Sequence, residues 1–173
     1  IHMAKQMPAV LKNFNVRVDG DSYAGTAKTI NLPEIVKKTE DYRAAGMIGD
    51  IKLDMGFEAM ESTVTYTGVD ARHITQLAYC GVDALPIRYI GAYERQDTCT
   101  HVVRDVYMRG SVTNLPLGEL ELGSINEHEL TYSVTYLKIV DDGITLLEVD
   151  FVNGVFIVAG KDMTGEINAK LGL

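Results

Sequence analysis

With 173 residues, 46% hydrophobic and 23% charged, the chain has the composition of one folded domain with a core of its own, which excludes a disordered segment. Sixteen Lys and Arg against 24 Asp and Glu leave a formal charge of −8, and no basic patch stands out, which argues against nucleic-acid binding through phosphate neutralisation. Apolar runs are only a few residues long, so no membrane-spanning helix is expected.

Ile1-His2-Met3 reads as a cloning scar, with residues 1–7 a flexible N-terminus and 8–173 a single domain whose natural start is Met3 or Met7. No signal-peptide pattern is visible. Residues 10–18 alternate, with Val10, Phe14, Val16 and Val18 apolar around Asn15 and Arg17, and predict a strand. Asp19-Gly20-Asp21 is a tight-turn signal, after which residues 23–32 return as a second strand that Pro33 ends. Residues 34–49 have too few apolar positions for a buried helical stripe and are expected to be irregular or extended. Residues 50–55 alternate strictly, placing Ile51, Leu53 and Met55 opposite Asp50, Lys52 and Asp54. Residues 61–67 are rich in β-branched side chains and predict another strand.

The period then changes. Asp70 is a sound N-cap, Ala71, Ile74, Leu77 and Ala78 form an apolar stripe at helical spacing, and Gly81 is placed as the C-cap, giving one helix over about 71–80. Residues 85–94 and 101–112 read as long strands. Residues 115–126 read as a glycine-containing connection with room for a short strand, on which Glu119 and Glu121 would share a solvated face opposite Leu120 and Leu122. Residues 130–140 and 144–151 flank Asp141-Asp142-Gly143, a second hairpin signal, and the tail mixes a short strand with a helical turn. The expected fold is mainly β: two packed antiparallel sheets, as a sandwich or partly closed barrel, with one flanking helix and a long extended arm over 34–60.

Chemistry is hard to find in this pattern. His73, His101 and His128 fall on a helix, a strand and a loop with no metal-ligand spacing, and His128 reads as a solvated loop residue. Cys80 and Cys99 form neither a CxxC knuckle nor a disulfide framework and read as reduced thiols. Carboxylate neighbours such as Glu127/Glu129 do not define a cleft, and no nucleophile elbow, phosphate loop or dinucleotide fingerprint is present. No catalytic, cofactor or metal residue is assigned. What asks for explanation is the long segment 38–61, whose Tyr42, Met47, Met55, Phe57 and Met60 offer apolar material outside an expected core.

A resemblance gives that segment a meaning. Phe14 to Tyr23, Leu32-Pro33, Tyr42-Arg43 with Gly46-Met47, and Asp54-Met55-Gly56 with Glu58-Ala59-Met60 occur in order. They are followed by Pro86-Ile87-Arg88-Tyr89, Gly91-Ala92-Tyr93, Met108-Arg109-Gly110, Tyr136 with Lys138, Glu148-Val149-Asp150, Val152-Asn153-Gly154 and Leu171-Gly172-Leu173. Together they resemble the major tail tube protein of contractile-tailed bacteriophages and the related tubes of R-type bacteriocins. The resemblance spans nearly the whole chain and departs around 115–126 and 162–170.

It implies a structural subunit without enzymatic activity or cofactor, forming homo-hexameric rings that stack into a hollow tube. Other implied partners are a sheath outside, a baseplate or tube initiator, a tape measure protein, and DNA that passes without specific binding. The subunit itself would not insert into a membrane. Its place would be the virion tail, assembled in the host bacterial cytoplasm. Tyr42, Arg43, Met47, Met55, Gly56, Phe57 and Met60 are the expected arm contacts with the same or the adjacent ring. Asp50, Asp54, Glu119 and Glu121 are the expected acidic lumen lining. The competing readings are the tube of a phage-derived bacteriocin or injection device and, from another class, a monomeric β-sandwich binding module or small-ligand enzyme.

Overall fold

The computed structural model describes residues 6–68 and 70–173. Ile1-His2-Met3, read above as a cloning scar, lies outside them. In chain order the strands are β1 (Ala9–Val18), β2 (Asp21–Ser22), β3 (Ala27–Asn31), β4 (Lys37–Tyr42), β5 (Ile51–Phe57) and β6 (Met60–Thr67). After helix α1 (Ala71–Thr75) come β7 (Leu85–Arg95), β8 (His101–Asn114), β9 (Glu127–Asp141), β10 (Ile144–Asp150), β11 (Val155–Val158) and β12 (Lys161–Asp162), and α2 (Gly165–Leu171) closes the chain. The mainly β expectation holds.

The layers come from one branching sheet. β9 is 15 residues long, and β8 runs along one of its edges. Along the other edge its first half pairs with β6 and its second half with β10. One branch continues through β6 to β3, while β8, β7, β1 and β2 continue on the far side. Alternation then fills the space between layers. Val16, Val18, Leu85, Ile87, Tyr89, Val106 and Met108 face Met60, Val64, Tyr66, Leu130, Tyr132 and Val134, all at most 2% exposed. The register shifts between Arg109 and Gly110, where β9 carries one extra residue, Thr135. That bulge moves the inward positions of β9 from Leu130, Tyr132 and Val134 to Leu137 and Ile139. Gly110 is required there, because a Cβ at this position would lie 1.9 Å from the Ser133 carbonyl oxygen.

Both hairpin signals are realised by Asp-Gly turns. Asp19 and Gly20 take φ of 51° and 82°, and Asp142 and Gly143 take 46° and 80°, the left-handed pair that a two-residue turn needs. Other expectations are corrected. The strand expected over 23–32 is interrupted, because the Tyr23 carbonyl accepts the N–H groups of Thr26 and Ala27 and drops the Tyr23 ring into the core. Of the segment expected to be irregular or extended, Lys37–Tyr42 is extended, a strand paired with the alternating β5. No strand forms over 115–126, so the strand face assigned to Glu119 and Glu121 does not exist.

The helix is shorter than expected and faces the other way. α1 passes at Gln76 into one 3-10 turn that ends at Ala78, so Gly81 is not its C-cap. Ile74 and Leu77 are about half exposed, and the buried positions are His73 and Gln76. Polar partners select that face. Gln76 Nε2 donates to the Tyr23 hydroxyl at 2.8 Å, and the Tyr132 hydroxyl donates to Gln76 Oε1 at 3.0 Å. His128, expected in a solvated loop, sits in β9 at 4% exposure with its Nε2 3.0 Å from His73 Nδ1. A buried polar group without partners is costly, so such a network fixes α1 more strictly than an apolar stripe would.

Candidate assembly surface

Among the described residues β4 and β5 pair only with each other, as a two-stranded hairpin separate from the large sheet. Cross-strand register sorts their side chains onto two faces. Tyr42 lies opposite Ile51 and Glu40 opposite Leu53, and Met55 follows on the same side of β5. Tyr42, Ile51, Leu53 and Met55 are all between 41% and 55% exposed. The opposite face is polar and charge-balanced: Lys52 Nζ meets Asp41 at 3.0 Å and Lys37 Nζ meets Asp54 at 3.1 Å. The Gly56 N–H and then Lys37 hold the Asp54 carboxyl below the usual carboxylate range. At the tip, Arg43 Nη2 donates to the Ile48 carbonyl at 3.2 Å, and the Ala44 N–H approaches the Met47 sulfur at 3.2 Å.

The expected arm residues therefore separate. Tyr42, Arg43, Met55 and Gly56 are exposed, and Met47 is half-buried in the tip. Phe57 belongs to the base, where its ring packs on Phe151 and Phe156 at centroid distances of 5.8 and 4.9 Å. Met60 corrects the expectation outright: at 1% exposure it is part of its own subunit's core, because it opens β6 on the inward phase. Ile51 and Leu53 were absent from the expected contacts, although their alternation was visible in the sequence. Among the expected lumen acids, Asp54 is neutralised by Lys37, Asp50 is exposed beside the tip, and Glu119 and Glu121 stand in an exposed loop.

A second unfinished feature lies beside the arm. β1 and β3 flank a cleft of about 990 Å³ lined by Leu11, Phe14, Ile30, Leu32, Tyr89 and Tyr93. No hydrogen-bonded pairing joins the two strands among the described residues, so the sheet stops short of closing there. Lys28, Glu34, Glu58 and Glu61 line the cleft as well, and open strand edges beside such a cleft are surfaces that a second chain can complete.

Comparison with known proteins agrees with this architecture. A chain of the PVC sheath–tube complex of an extracellular contractile injection system, in its extended state, superposes with a TM-score of 0.57 at 13% identity, over 77% of this chain and 91% of that one. A chain of the baseplate of the anti-feeding prophage superposes at 0.51 with 9% identity, over 79% of this chain and 97% of that one. At such identities these likenesses show the fold. Sequence carries more. The tail tube protein of Escherichia phage P2 is 37% identical over 170 residues, which are 96% of this chain and 99% of that protein. The major tail tube protein of Serratia phage KSP20 is 32% identical over 170 residues, at 96% and 98%. The family described as "Phage tail tube protein FII" matches residues 8–172, so the match takes in the arm, the open seam and the whole core, and the chain belongs to that family.

Proposed function

We propose that this tail tube protein builds hexameric rings that stack into a hollow tube, with the β4–β5 hairpin of each copy laid against a neighbouring copy. One observation carries this reading: the hairpin exposes both faces, and one of them is the apolar set Tyr42, Ile51, Leu53 and Met55. A lone two-stranded hairpin is marginally stable in water, so cover from a second molecule is the economical way to hold it. The seam between β1 and β3 supports the same reading, because a neighbour would complete its edges. In this assembly a sheath surrounds the tube, a baseplate starts it, a tape measure protein sets its length, and DNA passes without specific binding. The subunit belongs to the virion tail and is put together in the bacterial cytoplasm.

The test is removal of residues 40–48. Phe57 and Met60 stay, so the body keeps its packing, while the tip and the outer half of β4 are lost. Circular dichroism should show a folded β-protein, and negative-stain micrographs should show tubes shortened or absent. Tubes of unchanged length and number would refute the arm's role, and a wild-type chain that never forms rings or tubes would refute the assembly itself.

A further inference from the structure

Register builds a basic row that no stretch of sequence displays. On the outer face of the sheet Arg17 of β1 lies opposite Arg88 of β7, Arg88 opposite Tyr107 of β8, and Tyr107 opposite Lys138 of β9, beyond which the row ends at Glu148 of β10, held by the Tyr136 hydroxyl. With Arg109 and Tyr136 in the next row they line a groove of about 550 Å³. The Arg88 guanidinium lies over the Tyr107 ring at 5.0 Å, and that of Arg109 over Tyr136 at 4.2 Å. Arg88 is paired with Asp105 at 3.0 Å and Arg109 with Asp150 at 3.5 Å. Arg17 and Lys138 have no ion pair among the described residues. Like charges directly across two strands, as in Arg17 and Arg88, destabilise an isolated sheet. An anion arriving from outside would relieve that.

The same chain carries a segment of matching chemistry. In residues 117–122, Leu117, Leu120 and Leu122 are 63%, 75% and 103% exposed, and Glu119 and Glu121 alternate with them, exposed and without an ion pair among the described residues. This loop does not line the groove of its own subunit. Among the described residues its leucines have no cover and its acids have no cation. We propose that residues 117–122 of one copy dock in the Arg17–Arg88–Tyr107–Lys138 groove of another. Glu119 and Glu121 meet Arg17 and Lys138, and the leucines cover the tyrosine rings. Each copy offers one loop and one groove, so the contact is head-to-tail and propagates a ring or a stack. Nucleic acid fits less well: a chain of formal charge −8 repels a long polyanion, whereas a short segment brings two charges and its own apolar surface.

This contact rests on the self-assembly proposed above, and a charge swap in the full-length chain separates the two. Light scattering should show the assembled fraction of Arg17→Glu/Lys138→Glu falling about tenfold, and that of Glu119→Lys/Glu121→Lys by a similar factor. The combined variant, with charges exchanged, should recover most of the loss. Thermal melts close to wild type exclude misfolding, and Arg17→Gln/Lys138→Gln serves if the reversal unfolds the chain. An independent reading comes from Glu121→Cys with Lys138→Cys in a background of Cys80→Ser and Cys99→Ser, where oxidation should give a ladder of linked multimers. Double variants that assemble as wild type, a combined variant that recovers nothing, or a cross-link confined to monomers each overturn the contact. A wild-type chain that stays monomeric removes self-assembly and this contact together, whereas wild-type tubes beside a failed swap remove only the contact.

Discussion

At His73 and His128 two imidazoles share one interior with little freedom in their protons. His73 Nδ1 faces the Asp70 N–H at 3.5 Å and His128 Nε2 at 3.0 Å, an arrangement in which a neutral His73 accepts from both. The remaining nitrogens, His73 Nε2 and His128 Nδ1, are buried without partners among the described residues. Around them stand the Tyr23 and Tyr66 rings, both with hydroxyl pKa values raised by burial, and the ion pair of Asp70 with Arg72. Burial, reinforced by His128, holds the His73 pKa down at about 4, and burial lowers that of His128 as well. A folded value below the unfolded one near 6.5 means stability that is complete above about pH 6.5 and is lost as pH falls from there towards 4. Asp70, held at about 2 by the Arg72 side chain and backbone, loses its contribution only at lower pH. Urea unfolding at pH 7.5 and 4.5 should therefore differ by roughly 2 to 3 kcal/mol, and His73→Gln should flatten the slope; equal midpoints at the two pH values would contradict the arrangement. The sequence placed His73 on the helix but gave no sign of its burial, and it put His128 in a solvated loop rather than in β9. Burial of a polar side chain depends on partners brought from distant strands, here Tyr23, Tyr66 and Tyr132.

Elements were legible where periodicity and packing agreed. The alternation of β5, the Asp-Gly hairpins, the long strands and the N-cap at Asp70 were all present in the sequence. β4 was not, because Lys37–Tyr42 carries one apolar side chain and is a strand only through its pairing with β5. The helix was predicted but its buried face was inverted, since a polar network displaced the apolar stripe. The arm makes the distinction between packing and assembly measurable. Leu53→Lys changes a side chain that is 41% exposed in the subunit, so melting should stay near wild type, as surface substitutions usually remain within about 0.5 kcal/mol. Tube yield should fall, because the lysine charge would be buried against a neighbour. Met60→Ala should do the reverse first, costing the fold about 2 to 5 kcal/mol by emptying a core position. If Leu53→Lys left tube yield intact, the apolar face of the arm would not be the contact.

At the scale of the whole molecule, the subunit looks like a structure left open at two places. Among the described residues the branching sheet stops at β1 and β3 instead of closing, and the strands of the arm pair with nothing but each other. Sequence periodicity could indicate strands but not which edges stay unpaired, because pairing partners lie far apart in the chain; β1, for example, pairs with β7. Open edges favour aggregation in an isolated protein, so their persistence here makes sense if ordered neighbours complete them. Amide hydrogen exchange reads this directly. In the separated subunit, residues 9–15, 27–31 and 37–57 should exchange quickly, being edge or hairpin backbone, while the interior strands β8 and β9 should exchange slowly. In purified tubes the first three segments should slow by at least about tenfold, and β8 and β9 should change little. Slowing at 9–15 and 27–31 alone would assign assembly to the seam and leave the arm free, whereas slowing at 37–57 alone would assign it to the arm.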